Sequence, residues 1–421
     1  MTLIDLGETT DPQSPPATRR PRSAGRPFRL GLVLVLLLAA VTAGAPPAGR
    51  AAAVVPGSPG SEAFLSGGRL FVVEPGGEVL AYPLPERLTP RPQRPAPRWR
   101  ARVPASGRLA WVRTARDGTV LVVAETRGGT ALETFALDGT SGRVRWRQPG
   151  FTSVDAAGRG FVRVDGDDGA EVRAVDLDSG RLRWSAPVPP EGPDYHVRDG
   201  VIESLVLVWS ASGRTVVRAA RTGDVRAAAD LTVSPARRPR VVGDNLYVIG
   251  SAGVTAYGLP GLTRRWSAPL SAVEHLTQCA GLVCAAGQAG GLRAVDPATG
   301  ELRWSAPEWT AVAGSAGDRL LVAAPSPGGD RFAVLRAATG DEVADLGVWQ
   351  LVRRPGTDDR VVGTRVLPDG GGLLVAELDV AAGRVRGRDV LRTAIGSCQQ
   401  DDGVLVCRAR QGGFGVWRSP A

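Results

Sequence analysis

The residues best suited to metal or redox chemistry in this 421-residue chain are two histidines, His196 and His275, and four cysteines, Cys279, Cys284, Cys398 and Cys407. Two histidines exclude a multi-histidine metal centre, and neither close cysteine pair has the Cys-x-x-Cys spacing of a zinc site or a thioredoxin-like couple. All 51 basic residues are arginine, which removes Schiff-base lysines, P-loop lysines and Ser-Lys dyads. No Gly-x-Ser-x-Gly elbow occurs. His196 sits in Pro193-Asp-Tyr-His-Val close to Asp194, and a lone histidine beside a carboxylate reads as a surface or hydrogen-bond-satisfied group. The acidic runs Asp165-Gly-Asp-Asp168 and Asp358-Asp359 read as ordinary turn formers, with a calcium-binding loop as the chemical alternative. No catalytic, cofactor-binding or metal-ligating residue is therefore assigned.

What positions these residues is a repeat. Four segments align without a gap: Ala136 to Trp146, Ala174 to Trp184, Ala256 to Trp266 and Ala294 to Trp304, each an alanine, nine residues and a tryptophan. Three continue as Trp-Ser-Ala-Pro. Weaker copies around Gly223, Gly340 and Gly383 keep the turn and lose the tryptophan, and an earlier copy runs from Leu80 to Trp99 with a longer turn. The period is about forty residues. Within it lie short β-type runs such as Ala311-Val-Ala313, Arg319–Ala323, Arg331–Leu335 and Glu342–Ala344, separated by Gly, Pro and Asp turns, and no sustained helical period appears after residue 50. Four short antiparallel strands per forty residues predict an all-β propeller, whose radial closure hides sheet edges.

The Ala-x-Asp-x-x-Thr-Gly-x-x-x-Trp unit resembles the tryptophan-docking repeat of the pyrroloquinoline-quinone-like (PQQ-like) propellers, the family of quinoprotein alcohol dehydrogenases and BamB-type outer-membrane assembly lipoproteins. The resemblance spans about residues 62–418. It implies that Trp99, Trp146, Trp184, Trp266 and Trp304 wedge between neighbouring blades. Burying an indole is worth roughly 4–6 kcal/mol gross. About eight blades are expected, with seven or nine as alternatives. Residues 394–418 repeat only the inner part of a unit, so either its outer strand comes from the N-terminal stretch near Ala51–Val55, closing the ring with both chain ends, or one degenerate unit is not a full blade. The quinoprotein dehydrogenases also carry vicinal cysteines, a calcium site and long insertions. This chain has no adjacent cysteines and little length for insertions, so no quinone cofactor is expected.

The net charge of +9 is local: six arginines against three acids in residues 1–50, and six against Glu86 in residues 86–102. The nearly neutral remainder lacks the basic face that nucleic-acid binding needs. Residues 1–29 read as a disordered cytoplasmic leader. The uncharged run from Leu30 to Ala45 spans about 24 Å as a helix against about 30 Å of hydrocarbon, and extends uncharged to Gly49. Arginines at 19, 20, 22, 26 and 29 crowd its upstream flank, which predicts a single-pass signal anchor over 30–49 with the body exported. The alternative is a cleaved signal peptide, with Ala51-Ala52-Ala53 before Val54 as the acceptable site. In an exported body the cysteine pairs Cys279/Cys284 and Cys398/Cys407, each straddling a turn, are expected as two local disulfides.

Residues 50–61 form a linker and 62–421 the propeller. The Arg-Pro insertion Pro83–Pro97 is extended by its prolines, and Arg87, Arg91 and Arg94 make it a candidate contact for anionic lipid or cell-wall polymer. The sequence thus predicts a monomeric, membrane-tethered propeller acting as a non-catalytic scaffold for a protein partner at the membrane or cell wall. A quinoprotein-like oxidoreductase binding PQQ is the enzymatic alternative.

Overall fold

The computed structural model describes residues 51–418 except 86–91, 127–128, 130, 167–168, 235–236, 288–289 and 353–360. The leader and the 30–49 anchor lie outside the described residues, as do Arg87 and Arg91. Among the described residues no helix is long and apolar enough to cross a membrane. The chain divides into two units, Met1–Pro47 and Ala48–Ala421, and the second is all β with one short 3-10 turn at Pro368–Gly370.

Strands follow one another as up-and-down four-stranded sheets. The second blade is typical: Leu109–Thr114 innermost, then Val120–Glu125, Leu132–Leu137 and the outer Val144–Pro149. Its second strand, Val-Leu-Val-Val-Ala-Glu, is buried at five of its six positions, because neighbouring blades cover both of its faces. The outer strand buries only Trp146. That contrast explains why the middle of each unit reads as a continuous apolar run and its rim as polar.

Among the described residues there are seven four-stranded sheets and one of seven strands. The long sheet divides within the strand Glu342–Leu351. Its first part is the outer strand of one blade, while Gln350 and Leu351 pair with Thr364 and Gly363 as the inner strand of the next. Counted so, the ring holds nine four-stranded units, one more than the eight expected from sequence repeats. Nine was the upper alternative, and the ninth unit is the one closed by both chain ends, as one of the two readings of residues 394–418 has it: Ala53–Val55 pairs antiparallel with Phe414–Arg418.

Nine hydrophobic clusters match the nine interfaces. Phe71, Trp99, Val122 and Phe135 join the first two blades, and Ala53, Val55 and Val416 pack on Leu65, Leu70 and Val72 to join the last to the first. The core is therefore annular, with no break at the seam.

Candidate functional site

Each of the five expected tryptophans reaches into the turn of the following blade. Trp99 Nε1 donates to the Gly139 carbonyl (3.0 Å), Trp146 to Leu177 (2.7 Å), Trp184 to Ala220 (3.2 Å), Trp266 to Pro297 (2.9 Å) and Trp304 to Ala337 (2.7 Å). A β-bulge beside Trp146, Trp184, Trp266 and Trp304 re-aims the outer strand as the indole leaves it. The turn glycine of the receiving blade lies flat on the ring: a Cβ on Gly340 would sit 2.7 Å from Trp304, and Gly340 has φ +76°. The Thr-Gly of the motif thus meets two demands, a left-handed backbone and a face without a side chain. Where the motif has decayed, Ala227 and Ala344 occupy the indole position, and Gly383 faces Ala344.

A second clamp was not anticipated. The turn aspartate of the repeat accepts an arginine seven residues on: Asp176 from Arg183 (2.5 Å), Asp296 from Arg303 (2.7 Å), and likewise Asp138 from Arg145 and Asp379 from Arg386. The Arg183 guanidinium, aided by Ser179, holds the Asp176 carboxyl down to about 2, and Arg303 lowers that of Asp296. In Asp138 the Thr140 hydroxyl is the largest cause of a stronger depression, followed by Arg145. The i, i+7 recurrence of these pairs was visible in the repeats and is the signal that could have found them.

His196 is buried, as a satisfied core histidine should be, but its partner is not the adjacent Asp194. Its Nε2 lies 2.8 Å from Asp244 Oδ1 of the next blade, and Nδ1 lies 3.4 Å from Ser204 Oγ. Contact with His196 is the main cause of a lowered Asp244 pKa. Although the types are those of a Ser-His-Asp relay, Ser204 is 1% exposed, so no substrate reaches its hydroxyl. The trio pins two blades together.

Because consecutive strands are antiparallel, the connections between blades and those between the second and third strands of each blade lie on one face. A cavity of about 690 Å³ opens there near the ring's axis, lined mainly by the innermost strands of the first, second, eighth and ninth blades. Its polar groups are mutually committed. Arg108 pairs with Glu62; Arg408 donates to the Ser61 carbonyl and stacks over Phe414 with 4.8 Å to the ring centroid. Gln399 accepts from Leu65 N–H (3.0 Å) and donates to the Ala63 carbonyl (2.5 Å). Among the described residues no cluster of three or more His, Cys, Asp or Glu could hold a metal.

Both disulfides are formed, Cys279–Cys284 and Cys398–Cys407, and Cys398 lines the axial cavity. Arg94 is exposed, and the Arg-Pro insertion lies at the opposite face, in the turn before the first blade's outer strand. It is tied down. Gln93 donates its N–H to Ala52 O and accepts from Val54 N–H, both 2.9 Å, while Arg418 donates to Pro85 O at 2.8 and 3.0 Å. The insertion is thus laced to the strand that closes the ring.

A family profile described as outer membrane protein assembly factor BamB matches residues 92–306, half of the chain. The chain belongs to this PQQ-like propeller family. Solved structures of similar fold include BamB from Moraxella catarrhalis, 15% identical over 85% of this chain and 93% of that one, with a TM-score of 0.39. The computationally designed Ika8 protein is 16% identical over 75% and 98%, TM-score 0.47. Quinohemoprotein alcohol dehydrogenase from Comamonas testosteroni is 13% identical over 72% and 62%, TM-score 0.41. No curated protein sequence matches.

Proposed function

We propose that this BamB-like propeller is a non-catalytic scaffold, carried outside the cytoplasm on the 30–49 anchor and binding a protein partner through the loop face that surrounds the axial cavity. The observation that carries this reading is that four of the cavity's polar side chains are spent on contacts between neighbouring blades. Glu62 is held by Arg108, Arg408 by a backbone carbonyl, and Gln399 by two backbone groups of the first blade. A catalytic pocket keeps a nucleophile, base or metal ligand available, whereas here such groups bind the ring to itself. The two disulfides support an oxidising compartment.

The family also includes quinone-dependent enzymes, so the fit of PQQ to this cavity has to be weighed. Among the described residues that line it, the only acidic side chain is Glu62, already paired, and the disulfide of Cys398 joins residues nine apart rather than neighbours. These residues do not fit a tricarboxylate quinone with its calcium ion. Crosslinking in intact membranes followed by purification tests the scaffold, with a stoichiometric protein partner expected on the loop face. An absorbance band appearing when PQQ and calcium are added to the purified protein would instead establish the oxidoreductase.

A further inference from the structure

On the same loop face, away from the axial cavity, a cleft of about 510 Å³ lies where the second, third and fourth blades meet. Its walls differ in chemistry. Phe151, Leu132 and Pro149 present apolar surface, with Phe151 39% and Leu132 36% exposed. Phe151 is braced by Trp111, ring centroids 5.8 Å apart, and Tyr195 stands on Phe161 at 6.1 Å. Large aromatic and aliphatic groups left half in water inside a concavity are unusual unless something covers them.

The charged groups are of both signs, and they are unequally occupied. Arg163 is engaged, its Nε and Nη2 on Asp165 Oδ1 (3.0 and 2.8 Å) and Nη2 on the Pro190 carbonyl (2.5 Å). Among the described residues Arg238 reaches only the Gly192 and Pro193 carbonyls, at 3.5 and 3.3 Å, the long limit for a hydrogen bond. Glu191 is a partly exposed residue of the cleft wall, and one of its carboxylate oxygens is buried with no hydrogen-bond donor among the described residues. A buried carboxylate oxygen without a donor is costly, and the cost falls when a ligand brings an N–H group to it.

We propose that this cleft binds a short zwitterionic peptide with apolar side chains, its ammonium group on Glu191, its terminal carboxylate on Arg238 and its side chains against Phe151, Leu132 and Pro149. Both termini must be free, which selects a small peptide over an internal segment of a protein. The volume falls within the range of small-molecule pockets. The inference is independent of the scaffold reading, since a catalytic propeller could carry the same cleft.

The test is calorimetric titration of the full-length protein in detergent with the dipeptides Phe-Leu and Leu-Leu, and with N-acetylated and C-amidated Phe-Leu. The free dipeptides are expected to bind, and each blocked form about tenfold more weakly, the loss of one charge-assisted hydrogen bond. Glu191→Gln should erase the preference for a free amine while keeping that for a free carboxylate, and Arg238→Gln should do the reverse. A variant that had misfolded would lose all binding instead of one preference, and the wild-type series with blocked peptides needs no variant. The proposal is overturned if neither free dipeptide binds at about millimolar concentration, if blocked and free forms bind alike, or if the variants keep both preferences.

Discussion

At the scale of single residues, the stability of the ring rests on an indole against a glycine. Trp304 is 6% exposed, donates to the Ala337 carbonyl and covers Gly340, so removing its ring leaves both a cavity and an unpaired carbonyl. Trp304→Ala should cost about 3–5 kcal/mol in urea unfolding. Gly340→Ala, which keeps the indole but sets a methyl 2.7 Å from it at φ +76°, should also destabilise. A loss below about 1 kcal/mol for the tryptophan variant would refute the clamp. These tryptophans were legible because the motif recurs with its turn. The partner of His196 was not, since Asp244 lies 48 residues on and only the packing of adjacent blades brings it within 2.8 Å.

At the scale of the strand and turn, the Asp-Arg clamps set a pH dependence. Asp176 has a folded pKa of about 2 against an ordinary 3.8, so its contribution to stability is complete above about pH 4 and disappears as pH falls toward 2. Asp296 and Asp138 shift in the same direction. Melting temperature should therefore decline below about pH 4, and Asp176→Asn should make that decline shallower; an unchanged slope would show that the clamp contributes nothing. The disulfides belong to this scale too, because each joins neighbouring strands of one blade. No free cysteine is present among the described residues. Denatured protein should accept no thiol label before reduction and four labels per chain afterwards, matching the four cysteines of the sequence. The pairs were legible because residues five and nine apart across a turn lie on adjacent strands, where an oxidising compartment would join them.

At the scale of the whole molecule, closure is the least evident property of the sequence and the one with the widest consequence. The period and the strand content of the middle blades were readable, because each carries its own turn and apolar run. The last blade was readable as two alternatives: its three C-terminal strands resemble a unit lacking its outer strand, which pointed to the stretch near Ala51–Val55, but a three-residue strand hundreds of positions away is too short to carry a pattern that would decide it. The prolines and charges of the Arg-Pro insertion are conspicuous in the sequence, whereas the two backbone hydrogen bonds of Gln93 that join its end to Ala52 and Val54 leave no compositional trace. Together these contacts bear on processing. Ala52 and Ala53 are fully buried, Ala52 N–H donates to Val416 O at 2.7 Å, and Ala53 pairs with Val416. Cleavage between Ala53 and Val54 would remove those bonds, cut the closing strand and expose the first-to-last blade cluster that Ala53 and Val55 complete. The exported protein should therefore retain Ala52 and Ala53, with its N-terminus upstream of them. N-terminal labelling and mass spectrometry of protein from membranes and from medium checks this, and a mature chain beginning at Val54 would show that the ring closes without its N-terminal strand as built.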